Sequence, residues 1–239
     1  MPRDIVLSER LAAAAGFVPR GARVADVGTD HGYIPVWLVK NGVCVSVIAS
    51  DIGRLPLEHA KRSAEDCGAE DKIDFRLCAG LDAIRPEEAD TIIIAGMGGE
   101  TIASILGAAD WTRDGSHLLI LQPMTKIPYL RLWLSENGYC FENEKLVFEN
   151  NDYFPIITAR GGKTRKLSLA EVYGGVLLDD DALFDRSLSR TIQKLSKAER
   201  GIAAAKRAGG AERLDKTRSI IAALEEKRKG LYNADCKRC

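Results

Sequence analysis

The stretch Arg23-Val24-Ala25-Asp26-Val27-Gly28-Thr29-Asp30-His31-Gly32-Tyr33 decides the fold. Residues 23–27 are a short, apolar, β-branched run that ends where Gly28 permits a tight turn. Apolar positions at helical spacing resume over 35–42, so the turn feeds a helix whose first N–H groups face back toward it. Strand, glycine turn and helix in that order make half of a βαβ unit. Four more apolar runs follow at 46–50, 73–77, 91–95 and 117–122, with helical patterns at 57–68, 98–107 and 128–139 between or after them. Near-continuous apolar strands are buried on both faces, hence parallel, and the alternation predicts an α/β doubly wound sheet. Beyond residue 139, two β-type runs flank Asn150-Asn151-Asp152 with no room for a helix between them. They predict an antiparallel hairpin that closes one sheet edge.

Of the 239 residues, 46% are apolar and 28% charged, which excludes wholesale disorder. The neutral net charge hides a split. Residues 160–239 carry 19 basic and 11 acidic side chains, whereas residues 1–159 carry 15 and 23. A basic appendage on an acidic globule has polyanions as its natural partners. The paired glycines of Arg160-Gly161-Gly162-Lys163 mark a boundary, giving expected domains 1–160 and 161–239. In the second, Leu188, Ile192, Leu195 and Ile202, then Leu214, Ile221, Leu224 and Leu231, keep heptad spacing on either side of Gly209-Gly210. That pattern predicts a helical hairpin, a short antiparallel coiled coil.

No apolar run is long enough to cross a membrane, and the N-terminus makes a poor signal peptide. Six scattered cysteines suit a reducing compartment, so a cytoplasmic protein is expected. The terminal Cys236-Lys237-Arg238-Cys239 lacks a second pair and is read as a solvated tail. His31, His59 and His117 are too dispersed for a metal site, and no metal is expected.

Asp26-Val27-Gly28-Thr29-Asp30-His31-Gly32 fails the dinucleotide pattern G-x-G-x-x-G, and its acids disfavour a pyrophosphate. They favour a cationic ligand such as S-adenosylmethionine, with Asp26, Gly28, Thr29, Asp30 and Gly32 forming its loop. Asp51 and Ile52 end the second run. A carboxylate there either accepts two ribose hydroxyls or caps the next helix. Ala79, Gly80 and Leu81 follow the third strand, where the adenine of such a ligand would lie. After the fourth strand come Ala95, Gly96, Met97 and Gly98, whose glycines bring backbone close to a substrate or serve helix–sheet packing.

Val24 to Pro35, Ile94-Ala95-Gly96-Met97-Gly98-Gly99, Leu121-Gln122-Pro123-Met124 and Leu132 to Tyr139 together resemble the bacterial TrmK family, tRNA (adenine-N1)-methyltransferases acting at position 22. The likeness runs from about Leu7 through Glu149 and continues as architecture into the helical hairpin. It implies a class I methyltransferase Rossmann-like sheet, S-adenosyl-L-methionine as donor, and a C-terminal coiled coil that helps hold tRNA. A monomer without membrane association is expected, and Asp30, His31, Tyr33, Gly96 and Gly98 are the candidates for positioning substrate. Lys163, Arg165, Lys166, Arg190, Lys194, Lys197, Arg200, Lys206 and Arg207 are the expected RNA-binding side chains. One departure is Ala79, where the family often has an acid suited to the adenine amino group. Methylation of another RNA or a small molecule, and RNA binding without catalysis, are the alternatives.

Overall fold

A computed structural model describes residues 4–205 and 210–235, and it divides into two compact units at Arg165/Lys166. This boundary lies five residues beyond the expected one: the last strand of the first unit runs to Gly161, and the four residues after it stay with that unit.

The first unit is built on a seven-stranded sheet. Its strands are β1 (Ala22–Val27), β2 (Cys44–Asp51), β3 (Ile73–Leu77), β4 (Thr91–Gly98), β5 (Leu118–Thr125), β6 (Tyr139–Glu149) and β7 (Asp152–Gly161). They lie in the order β3-β2-β1-β4-β5-β7-β6. The first five are parallel, and β7 pairs antiparallel with both β5 and β6. The hairpin therefore closes the edge as the sequence predicts. Asn150 and Asn151 turn it with φ of 50° and 60°, the left-handed pair a two-residue turn needs.

Five helices cover the sheet: α1 (Glu9–Ala15), α2 (Tyr33–Lys40), α3 (Arg54–Cys67), α4 (Gly99–Ala108) and α5 (Ile127–Glu136). Successive residues of β4 serve opposite faces. Ile92 and Ile94 pack with Ile102, Leu106, Leu130 and Leu134 of α4 and α5, while Ile93 packs with Ala14, Ile34 and Leu38 of α1 and α2. This double burial explains the unbroken apolar runs. In addition, the Arg131 guanidinium of α5 donates to Glu144 Oε1 of β6 at 2.6 Å from a fully buried position, tying helix to hairpin.

The second unit contains α6 (Leu169–Gly174), α7 (Phe184–Ala204) and α8 (Gly210–Asp235). Ion pairs Arg228–Asp185 and Arg218–Glu199 advance along α8 as they retreat along α7, so the two run antiparallel, as expected. The seam differs by one position: Ile220 is buried and Ile221 only half so. The short α6 was not foreseen. Its Ser168/Glu171 capping box starts it, and Gly174 lets it sit against Leu188 and Leu224, both buried. Gly209, Lys206, Arg207 and the terminal Cys236–Cys239 lie outside the described residues.

Candidate active site

Strand order reverses at β1, whose neighbours are β2 and β4. Loops leaving the carboxyl ends of β1 and β4 there diverge to opposite faces and open a crevice. A cleft of about 400 Å³ occupies this point, lined by Asp26, Gly28, Thr29, Asp30, His31, Tyr33, Asp51, Ala95, Gly96 and Met97, together with Arg10, Leu11, Ile34 and Met124.

Its floor is acidic. Asp26, at the end of β1, is only 4% exposed. Burial pushes its carboxyl up to about 7; the Thr29 hydroxyl nearby opposes this and the Asp51 carboxylate adds to it. The Thr29 hydroxyl completes no hydrogen bond, and its Oγ1 is a buried oxygen without a partner. A buried hydroxyl short of a partner in a cleft is free to serve a ligand.

The loop after β1 is locked from below. Gly28 and Thr29 both donate their N–H groups to Ser50 O, at 2.8 and 2.9 Å. Asp51 Oδ2 accepts from Asp30 N at 3.2 Å, and its Oδ1 accepts from Gly53 N at 2.8 Å. Gly28 has φ +75°, and a Cβ there would collide with Met97 Cε. The two expected donor loops, after β1 and after β4, thus meet at this glycine.

The β4 loop is a bulge. Ala95 pairs with Gln122 and Met97 with Pro123, leaving Gly96 between them with φ +81° and no atom within 4 Å of where its Cβ would stand. Bulges beside active sites re-aim the chain. This one is held by Gln122, whose Oε1 accepts from Gly96 N at 3.1 Å and from Arg10 Nη1 at 2.6 Å. Arg10 is anchored in turn by Glu149, which accepts its backbone N–H at 3.0 Å.

Several expected residues lie elsewhere. Gly98 does not line the cleft: its Cβ would face Thr125 Oγ1 at 3.1 Å, so the packing role applies to it, as to Gly99 beneath Leu130. Leu81 is 4% exposed and belongs to the core, while Gly80 approaches Ile105. Ile52 and Ala79 are exposed, and neither lines the cleft. Gly32 is buried against Ala60 rather than in the cleft wall.

His31 stacks on Tyr33 and on His59, with both centroid separations 5.3 Å. The histidines are therefore less dispersed than the sequence suggests, yet among the described residues no cluster of three His, Cys, Asp or Glu could hold a metal ion. Arg10, Gln122 and Met124 were missed. A polar residue inside a fully buried strand was the available signal for Gln122.

Two carboxylates, an unpartnered hydroxyl and an open glycine bulge at the β1/β4 crevice fit a small cationic donor with a ribose. A family profile described as a methyltransferase domain matches residues 7–157. The tRNA (adenine(22)-N(1))-methyltransferase of Bacillus subtilis is 38% identical over 159 residues, 66% of this chain and 67% of that protein. The crystal structure of the B. subtilis m1A22 tRNA methyltransferase TrmK superposes with a TM-score of 0.84 at 32% identity, covering 93% of this chain and 99% of that one. The M. capricolum TrmK complex with S-adenosyl-homocysteine superposes at 0.78 with 25% identity, covering 93% and 98%. The cleft, its loops and these likenesses place the chain in the TrmK family of S-adenosyl-L-methionine-dependent methyltransferases.

Proposed function

We propose that this protein methylates N1 of adenine 22 in tRNA, acting in the cytoplasm as a monomer. The observation that carries this reading is the acidic, half-enclosed cleft at the β1/β4 switch point, with its unpartnered Thr29 hydroxyl. S-adenosyl-L-methionine, when bound, supplies an electrophilic methyl group. Asp26 and Asp51 supply negative charge for a cationic donor, and Asp51 is the candidate acceptor of its ribose hydroxyls. Arg10, which borders the same cleft, offers a cation for a carboxylate.

Adenine N1 carries an in-plane lone pair, so no strong base is needed to unmask the nucleophile. The protein's work is to hold the two reactants in line, an effect that alone supplies about 7–11 kcal/mol. Gly96 leaves room for the base plane, and His31 and Tyr33 border the entrance. N1 lies on the pairing edge, so the target must be unpaired or turned out of its helix.

The second unit supports RNA binding through charge. Arg190, Lys194 and Lys197 follow one another along one side of α7, and Lys194, Lys197 and Arg200 are exposed. Lys163, Arg165 and Lys166, close to the boundary between the units in sequence, are exposed too. Among the described residues no helix is long and apolar enough to cross a membrane. Incubation with labelled donor and unmodified tRNA, followed by nucleoside mapping, tests the reading. Label in 1-methyladenosine at position 22 supports it, and label in any other nucleoside overturns it.

A further inference from the structure

The ring stack at the cleft mouth has an architecture of its own. Gly32 takes φ +69°, and a Cβ there would lie 2.9 Å from Ala60 Cβ and 3.0 Å from Ala60 Cα. This close approach seats the start of α2 directly on α3. The residue preceding Gly32 is His31, and the residue preceding Ala60 is His59, so the glycine contact brings their rings together. Their planes differ by 5°, and those of His31 and Tyr33 by 13°. One loop and two helices thus contribute three nearly parallel rings.

These rings are not buried packing. Tyr33 is 41% exposed and the His31 side chain 46%. Tyr33 borders both the cleft and a second hollow of about 290 Å³, lined by Asp4, Ser63 and Asp66. Ser63 and Asp66 fall four and seven residues after His59, on the same side of α3, so open space runs beside the rings. Asp30 Oδ2 stands 3.7 Å from His31 Nε2 and is well exposed, which makes the place unwelcoming to phosphate. A ligand suited to parallel rings beside a carboxylate presents a flat face and keeps its phosphate at a distance. Arg62, exposed and one turn beyond His59, is placed to meet that phosphate.

We propose that the Tyr33–His31–His59 stack is a nucleobase platform running outward from the rim of the donor cleft, holding the unpaired nucleotide next to the adenine being methylated. This rests on the reading of the protein as a tRNA adenine methyltransferase. Stacking on aromatic rings is tolerant of base identity and strong enough to matter, typically about a five- to hundredfold effect per base, here about tenfold. His59 extends the platform without lining the cleft, so it can be varied without disturbing the donor site.

The test uses the full chain with His59→Ala, His59→Leu and His59→Phe, and an RNA stem–loop carrying one unpaired adenine flanked by 2-aminopurine. The wild type and His59→Phe should quench the 2-aminopurine on binding. His59→Ala and His59→Leu should quench less and bind the RNA about tenfold more weakly, with donor affinity unchanged in all three. The platform is overturned if His59→Ala and His59→Leu quench and bind as the wild type does, or if His59→Phe fails alongside them. Methyl transfer to tRNA is measured separately. Its absence in the wild type, with the quenching pattern intact, overturns the methyltransferase reading and leaves the stacking platform standing.

Discussion

Asp51 Oδ2 accepts the backbone N–H of Asp30 at 3.2 Å, joining the loop after β2 to the loop after β1. Asp30 needs such support, because its φ of 49° is a left-handed conformation that non-glycine residues adopt at a cost of about 1–2 kcal/mol. The other oxygen of Asp51 closes the turn at Gly53, which is itself the residue capping α3. The carboxylate braces two loops while lining the cleft between them.

Replacing Asp51 by Ala should therefore weaken donor binding about ten- to hundredfold, since charge-assisted hydrogen bonds contribute roughly 1.5–3 kcal/mol each. Asp51→Asn keeps one acceptor and should fall between. Titration calorimetry with S-adenosyl-L-methionine measures both. An unchanged affinity in Asp51→Ala would confine the residue to the turn.

Asp26 gives the donor site a pH dependence. Its folded carboxyl titrates near 7, above the ordinary value of 3.8, because burial disfavours the charge. The ligand-free protein therefore has the full stabilisation from this group below 3.8 and loses it as pH rises from there through 7. A cationic donor prefers the ionised form, so affinity should climb with pH up to about 7 and then level off. Binding at about pH 6 should release a proton, visible as a dependence of the calorimetric enthalpy on buffer. Asp26→Asn should abolish both the proton release and the slope.

Two glycines of the cleft should respond differently to the same methyl group. Gly28→Ala meets Met97 as well as a positive φ, and should lower stability by about 1–3 kcal/mol along with donor affinity. Gly96→Ala meets open space. It should lower stability by only about 1 kcal/mol and act mainly on turnover with tRNA. Denaturant unfolding and steady-state kinetics separate the two. Equal losses of stability would show that the bulge is packed rather than open.

Within the core, Glu144→Gln should destabilise the first unit by up to about 3–5 kcal/mol, because it removes the charge that faces the buried Arg131 guanidinium at 2.6 Å. The midpoint of urea unfolding reports this directly.

Ending the chain at Arg165 should leave a folded domain that binds donor and methylates tRNA poorly. Every phosphate that the missing Lys and Arg side chains would have neutralised lowers the log–log salt slope of tRNA binding by about 0.9. A truncated protein with the slope of the full chain would reassign the helical unit to another partner.

Much of this was legible in the sequence because burial on both faces forces apolar runs, and turns demand particular residues. β3 matches its expected span of 73–77, and the Asn150-Asn151 turn matches its dipeptide. What stayed hidden came from distance along the chain. Arg10 reaches the cleft only because α1 folds across to β5, meeting Gln122 from 112 residues away. Nothing local in Ser8-Glu9-Arg10-Leu11 reports that. The different placement of Gly96 and Gly98 was hidden for a related reason: closely spaced glycines look alike in sequence, yet Gly96 occupies the bulge and a Cβ on Gly98 would face Thr125. By contrast, α6 announced itself in the capping box from Ser168 to Glu171, a signal local enough to have been used.

Inserting β7 between β5 and β6 determines which strands end up outermost. These are β3 and β6, and an outer strand offers unpaired N–H and C=O groups to any passing chain. The first is only five residues long and carries Asp74 and Arg76, locked to each other at 2.6 Å. The second carries Glu142, Lys145 and Glu149. An incoming strand would have to strip water from these charged side chains, so the sheet resists growth by strand addition at both ends. The catalytic unit, severed from its helical partner, should accordingly stay dispersed at concentrations where an uncharged border would seed aggregation.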